Sequence, residues 1–269
     1  MRISTVLAHP DDAELWAGGT LLQHSARGDH IHVLTFADQG SGRRAETEAG
    51  ARLLGVKCQI VDRRVLGSSD ELTRRVMKFL RATEPDVVIT HWERDTHYEH
   101  AAVCRAVCRA VPRVRIDRGF PRMLLSCDTY GSLGLDSVFQ PTLYIDVSSV
   151  FESKLAALSA HASQGPAWWI EMAKTLGALH GLRSGCAYAE AFLELAILGQ
   201  KRSASLLPNV ARAIATATGG ITAQSGPRLP PSQPQADPGS RPRTRRPAPA
   251  PASAPSDSGP LSPAPGRGH

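Results

Sequence analysis

The sequence predicts an α/β fold, with a mainly parallel sheet flanked by helices on both faces. Three observations carry that expectation. Short apolar runs rich in β-branched residues recur at 2–8, 30–36, 57–62 and 86–90. A segment of helical spacing follows each run. Every connection is long enough for a helical crossover, which a parallel pair requires and a hairpin does not.

Residues 2–8 form the first expected strand. Residues 14–27 read as a helix with Leu15, Leu21 and Leu22 on its apolar positions, ended by Gly28-Asp29. The pair Gly18-Gly19 is poor for helix propensity, so it marks either close packing against a neighbour or room for a ligand. Residues 30–36 alternate and then turn apolar, as a second strand would. The ADQGSG stretch at 37–42 is a loop of turn-forming residues. A helix is expected at 43–54, with Gly55 where a C-terminal cap glycine belongs. The third strand is 57–62. Ser69-Asp70 opens a helix running to 83, and 86–90 is a compact apolar strand after Glu84-Pro85. A polar loop, 91–99, leads to a helix at 100–111. Beyond it, 123–127 and 142–147 read as strands and 151–163 and 168–179 as helices, while 188–195 suits either. Order is expected to end near 214–220. That gives one domain, 1–220, and a tail, 221–269, rather than two domains.

The net charge of +6 is unevenly spread. Residues 225–269 hold six arginines and two aspartates, a balance of +4, which leaves +2 for residues 1–224. The same stretch holds 13 of the 20 prolines and no aromatic residue. It reads as a disordered, solvated tail, with Arg241, Arg243, Arg245 and Arg246 as its one cluster able to meet an acidic surface. The folded part therefore gives no reason to expect nucleic-acid binding. Five cysteines at scattered spacing make no disulfide framework. Cys104 and Cys108 share a helix face, more simply as small buried residues than as metal ligands. No signal-like N-terminus or membrane-spanning stretch is evident, so a cytoplasmic protein is expected.

The chemistry concentrates at two turns. Ala8-His9-Pro10-Asp11-Asp12-Ala13-Glu14 lies between the first strand and the first helix, at the sheet edge where such folds place working residues. His9 and Asp12, three apart across a tight turn, can reach one ion. Asp11 between them can then face the water that such an ion activates, as general base. Alone, the turn is equally a helix cap, with Asp11 or Asp12 accepting backbone N–H groups. The second cluster, Asp95-Thr96-His97-Tyr98-Glu99-His100, follows the fourth strand and so lies on the same edge. His97 and His100 share one face of a helix start. Two histidines and two acids facing a histidine and two aspartates favour a metal site over packing.

The first motif, followed by Gly18-Gly19-Thr20, resembles the signature of the PIG-L/LmbE-like zinc-dependent N-deacetylases. The family's second motif, His-Pro-Asp-His, reads here His97-Tyr98-Glu99-His100. Weaker likenesses are Arg43, Ala45 and Glu46 with Leu54-Gly55-Val56, Lys154-Leu155 through His161-Ala162-Ser163-Gln164, and Glu190-Ala191-Phe192. The resemblance covers about residues 3–198. It implies an LmbE-like, Rossmann-like fold, with His9, Asp12 and His100 as ligands of Zn2+ or another divalent ion such as Fe2+. It implies Asp11 as base and then acid, His97 as oxyanion stabiliser or acid, and Glu99 as support for a ligand. It also implies Arg43 as a contact for substrate hydroxyls or a phosphate, a position that reads equally as a solvated residue at a helix start. The loops 37–42, 62–69 and 127–140 would shape the pocket, with Trp92 a candidate to stack on a sugar or, equally, a core or rim residue. Trp168-Trp169 is either substrate wall, subunit contact or helix packing.

The function so implied is removal of the N-acetyl group from an N-acetylglucosamine-type sugar of a small conjugate, in antibiotic aminosugar biosynthesis. The alternative is a deacetylase or amidase of mycothiol-type thiol metabolism. From another class comes a non-catalytic sugar- or nucleotide-binding module, against which stands the lack of Gly-x-Gly-x-x-Gly in the first turn. The expected partner is a small N-acetylated sugar conjugate, with no nucleic acid and no membrane span; a homo-oligomer is compatible with the sequence.

Overall fold

A computed structural model describes residues 1–201. The expected end of order at 214–220, the tail 221–269 and its arginine cluster lie outside the described residues. The strands are β1 (Arg2–Val6), β2 (His30–Ala37), β3 (Lys57–Asp62), β4 (Val87–Thr90), β5 (Met123–Cys127), β6 (Leu143–Asp146) and β7 (Ala189–Leu195). The helices are α1 (Asp12–Ala26), α2 (Arg43–Leu54), α3 (Ser69–Thr83), α4 (Tyr98–Arg118), α5 (Phe151–Leu158) and α6 (Pro166–Ser184).

The strands form one sheet in the order β3-β2-β1-β4-β5-β7-β6. β1 pairs in parallel with β2 and β4, β2 with β3 and β4 with β5, whereas β7 runs antiparallel between β5 and β6. The expected mainly parallel sheet is therefore present, with an antiparallel edge. Strand alternation sends side chains to both faces. In β4, Val87 and Ile89 enter the core that includes Leu15, Leu21, Phe151 and Leu155, while Val88 enters the core with Val76, Leu80, Val103 and Val107. Thus α1 and α5 cover one face, and α3 and α4 the other. The chain leaves β1 toward β2 on one side and returns to β4 on the other. The carboxyl ends of β1 and β4 thereby form the switch point where open α/β sheets bind ligands.

Several boundaries differ from expectation for physical reasons. The helix expected to stop at 111 runs to Arg118 through Pro112. Its buried stripe of Val103, Val107, Ala110, Val111 and Val114 continues past the proline, and this burial outweighs the local hydrogen-bond loss. It ends at Gly119 in the left-handed conformation (φ 80°). The helix expected at 151–163 stops at Leu158, and residues Ala162–Gln164 form a separate 3-10 turn. The helix expected at 168–179 spans Pro166–Ser184, with the proline in the first turn, where its missing N–H is harmless. The ambiguous 188–195 segment is strand β7.

The glycine pair of α1 is a packing feature. A Cβ on Gly19 would stand 2.6 Å from Val147 Cβ, and one on Gly18 would stand 3.3 Å from Lys154 Cγ. Beside them Glu190 accepts from the N–H groups of Gly19 and Thr20, each at 2.8 Å, and from Lys154 Nζ at 2.6 Å. This buried carboxylate joins α1 to α5 and β7. All five cysteines are described and carry free thiols. Cys104 Sγ lies 4.0 Å from Cys108 Sγ inside α4. Among the described residues, no helix is long and apolar enough to cross a membrane.

Candidate metal centre

The turn after β1 separates its two aspartates. Asp11 is the N-cap of α1 yet makes no side-chain cap hydrogen bond. Its Oδ1 instead accepts from Arg43 Nη2 at 3.0 Å. Asp12 turns back toward the sheet edge. Its Oδ2 accepts from the His9 N–H at 2.6 Å, and its Oδ1 from Trp16 Nε1 at 3.2 Å. One turn of α1 thus orients Asp12 through Trp16, an i, i+4 pair on the same face.

The second cluster arrives from the end of β4. His97 caps α4, its Nδ1 accepting from the Glu99 N–H at 3.3 Å, which leaves Nε2 for the cleft. His100 is fully buried. Its Nδ1 lies 2.8 Å from Asp95 Oδ2, so the proton sits on Nδ1 and the Nε2 lone pair is free. His9 is held in the same way. Its Nε2 lies 2.8 Å from Glu99 Oε2, which leaves Nδ1 as the ring nitrogen facing His100 and Asp12.

These atoms converge. His9 Nδ1 is 3.1 Å from His100 Nε2 and 3.4 Å from Asp12 Oδ2, and His100 Nε2 is 3.6 Å from Asp12 Oδ1. Three atoms each ~2.0–2.2 Å from a zinc ion would be separated by about such distances. Two imidazole nitrogens turned toward each other beside a carboxylate also fit a cation chemically, once the proton between them is displaced. Among the described residues, two overlapping groups have all their ligand atoms within 4.8 Å: His9, His97 and His100; and Asp12, His91 and His100.

His91 was not expected at the site. It is the first residue after β4, fully buried, with its ring stacked on His100 at 3.7 Å. Burial and then the charge of His100 hold it neutral, at about 4. Its Nε2 lies 3.1 Å from Asp12 Oδ2 but accepts from the Ala8 N–H at 2.9 Å, so its lone pair is already engaged.

The electrostatics divide the two aspartates. Burial works against ionising Asp12, but His100, His91 and His9 outweigh it and hold the carboxylate well below its usual range. Burial and the charge of Asp12 push Asp11 up, against the pull of Arg43 and His161. Burial opposes a charge on His9, yet Asp12 and Glu99 together raise it to about 9. Burial and then His100 and His9 lower His97. A cation arriving at His9 would thus have to displace a proton.

A cleft of about 270 Å³ opens over this floor, lined by His9, Asp11, Asp12 and His97. Arg43, Arg63, Tyr130 and Trp169 form its walls. The three expected loops contribute through or beside Arg43, Arg63 and Tyr130. Arg63 also grips Glu99, with Nη2–Oε2 2.8 Å and Nε–Oε1 3.1 Å, so Glu99 bridges a guanidinium to His9. The structure does not bring Trp92 to the cleft. Its ring packs edge-on against Phe139 at 5.4 Å, in a small core with Ala191. It belongs to the packing under the antiparallel edge, where Tyr144 and Leu193 pack against the same cluster. Of the tryptophan pair, Trp169 lines the cleft, whereas Trp168 is 67% exposed on the other side of α6.

Residues 4–111 match the PIG-L family model, described as GlcNAc-PI de-N-acetylase. Over 220 residues the chain is 26% identical to the diacetylchitobiose deacetylase of Thermococcus kodakarensis, covering 70% of this chain and 81% of that protein. Over 192 residues it is 26% identical to a probable N-acetyl-alpha-D-glucosaminyl L-malate deacetylase 2 of Bacillus cereus, covering 61% and 83%. Among solved structures it is similar to the conserved protein TT1542 from Thermus thermophilus. That likeness has a TM-score of 0.63 and 27% identity, over 73% of this chain and 96% of the other.

Proposed function

Within the PIG-L/LmbE family of metal-dependent N-acetylglucosamine-type deacetylases, to which this chain belongs, we propose that it deacetylates the aminosugar of a small secondary-metabolite conjugate. The observation that carries the chemistry is the split between two adjacent aspartates. Asp12 is turned to the converging nitrogens, and Asp11, its carboxyl raised, is turned to the open cleft.

In this reading His9, Asp12 and His100 hold the ion, zinc or another divalent metal. His91 stays outside the set because its Nε2 is engaged by the Ala8 N–H. The bound ion supplies Lewis-acid polarisation of the acetamide carbonyl and lowers the pKa of water toward ~7. Asp11 takes the proton of the attacking water and returns it to the leaving sugar nitrogen. A carboxyl raised by burial suits both halves of that cycle. Arg43 keeps Asp11 aimed at the cleft. His97, its Nδ1 fixed by the Glu99 N–H, offers Nε2 to the carbonyl oxygen as negative charge develops there. Glu99 holds the ring of His9 and is itself held by Arg63. Acetate and a free amine leave.

The conjugate reading is supported by the walls. Tyr130, Trp169 and Leu15 present apolar surface to an otherwise polar cleft, a place for an acceptor half with an apolar face. A polyol acceptor, as in mycothiol-type substrates, would draw instead on Arg43, Arg63 and Gln164. The test is acetate release by the zinc-loaded protein from N-acetylglucosaminides with aryl, glycopeptide-type and inositol aglycones. The expected order is apolar above inositol. A well-folded protein that binds no metal and releases no acetate from the whole panel would remove the reading.

A further inference from the structure

We propose that Asp128, Ser132 and His180 form a clamp that positions Tyr130 and Trp169 as the recognition wall for the acceptor half of the substrate. The inference rests on the deacetylase reading for its substrate, and on separate geometry for the clamp.

Residues Tyr130–Ser132 form a single 3-10 turn directly after β5. The ring of Tyr130 lies 5.5 Å from His100, 5.4 Å from Trp16 and 5.9 Å from Trp169. It therefore lies against one proposed metal ligand, His100, and against Trp16 behind a second, Asp12, on one side and the cleft wall on the other. The turn that presents it has an unfavourable backbone. Gly131 and Ser132 are both left-handed, at φ 60° and 58°, and Ser132 lacks a glycine's freedom there.

A buried carboxylate holds that turn. Asp128 Oδ1 accepts from the Thr129 N–H at 2.8 Å, and Oδ2 accepts from Ser132 Oγ at 2.8 Å. The same Oδ2 lies 2.6 Å from His180 Nε2. Asp128 is 5% exposed and His180 is 2% exposed. Among the described residues, His180 Nδ1 has no hydrogen-bond partner, so the ring's one contact of this kind there is Asp128. Its place on α6 explains why the pair matters. Trp169 and His180 are eleven residues apart, three helical turns, and so share a face. The His180–Asp128 contact therefore fixes α6 against the Tyr130 turn, and with it the spacing of the two aromatic rings. None of these three residues reaches the reacting atoms, so all are positioning residues.

The test compares aryl N-acetylglucosaminide with free N-acetylglucosamine, using the zinc-loaded full chain. His180→Ala is expected to raise KM for the aryl conjugate by about tenfold, the scale of a lost aromatic contact, with kcat nearly unchanged. Free N-acetylglucosamine and zinc content should be unaffected. His180→Gln, whose Nε2 can replace that of the imidazole, should restore the wild-type KM. Equal losses on both substrates, a fall in kcat with KM unchanged, or no rescue by glutamine would overturn the proposal. Hydrogen exchange of the 128–133 amides provides a readout that needs no turnover. It should rise in His180→Ala and return in His180→Gln; unchanged protection would overturn the clamp. A wild-type chain that releases no acetate from either sugar would count against the deacetylase reading instead, leaving the exchange result to decide the clamp.

Discussion

The two halves of the sheet contribute to the cleft in different ways. At the ends of β1 and β4, the groups proposed to react come from two short stretches, His9 to Asp12 and Asp95 to His100, each within one turn of chain. Over the antiparallel edge, the wall is gathered from separated segments: Tyr130 after β5, Gln164 before α6 and Trp169 within it. A strand-to-helix turn brings neighbours in sequence together at one point, so chemistry there is compact in the sequence. A wall made by docking a helix on a loop requires partners such as Asp128 and His180, 52 residues apart. On the proposed reading, the difference teaches that the reaction is encoded locally and the choice of acceptor by packing.

The largest effect that would break this division is expected from His100→Ala. It removes the nitrogen facing His9 and Asp12, so metal content by elemental analysis and acetate release should both fall to background. A variant that kept its ion would move the centre to another ligand set. Glu99→Ala comes next. It frees His9 Nε2 and should weaken zinc affinity ~10–100-fold in a chelator competition. Unchanged affinity would detach Glu99 and Arg63 from the metal site. Gly19→Ala tests the join between the halves. The added carbon meets Val147, and overpacking of this kind costs ~1–3 kcal/mol, read as a lower Tm. An unchanged Tm would show that α1 is not tightly docked there. The smallest effect is expected from Trp92→Phe. Because Trp92 packs on Phe139 outside the cleft, KM should stay at the wild-type value. A raised KM would place the ring in the substrate path after all.

The legibility of the sequence follows the same line. The parallel sheet was readable because its crossovers alternate period-two and helical patterns, and the left-handed cap at Gly55 (φ 69°) stands where expected. The antiparallel β7 was not, since Ala189–Leu195 has apolar spacing compatible with either period. At the site, His9, Asp11, Asp12, His97, His100 and Glu99 were all marked by the two motifs and all meet in space. Asp95 stood in the second motif, and its pairing with His100 five residues on needed the helix start to become visible. His91 had one available signal, its position as the first residue beyond β4. Arg63 similarly begins the segment after β3, but its grip on Glu99 joins residues 36 apart. Trp92 read equally as sugar platform or core residue, and its packing on Phe139 needed the fold to become visible.

The central claim is that neighbouring aspartates hold different offices, Asp12 on the ion and Asp11 on the proton. Asp11→Asn, loaded with zinc and assayed for both bound metal and acetate release, tests it most directly. The account predicts that the ion stays, at about the wild-type stoichiometry, while turnover falls ~10²–10⁴-fold, the scale of a lost general base. Loss of the ion together with activity would make Asp11 a ligand, and near-normal acetate release would remove it from the proton transfer.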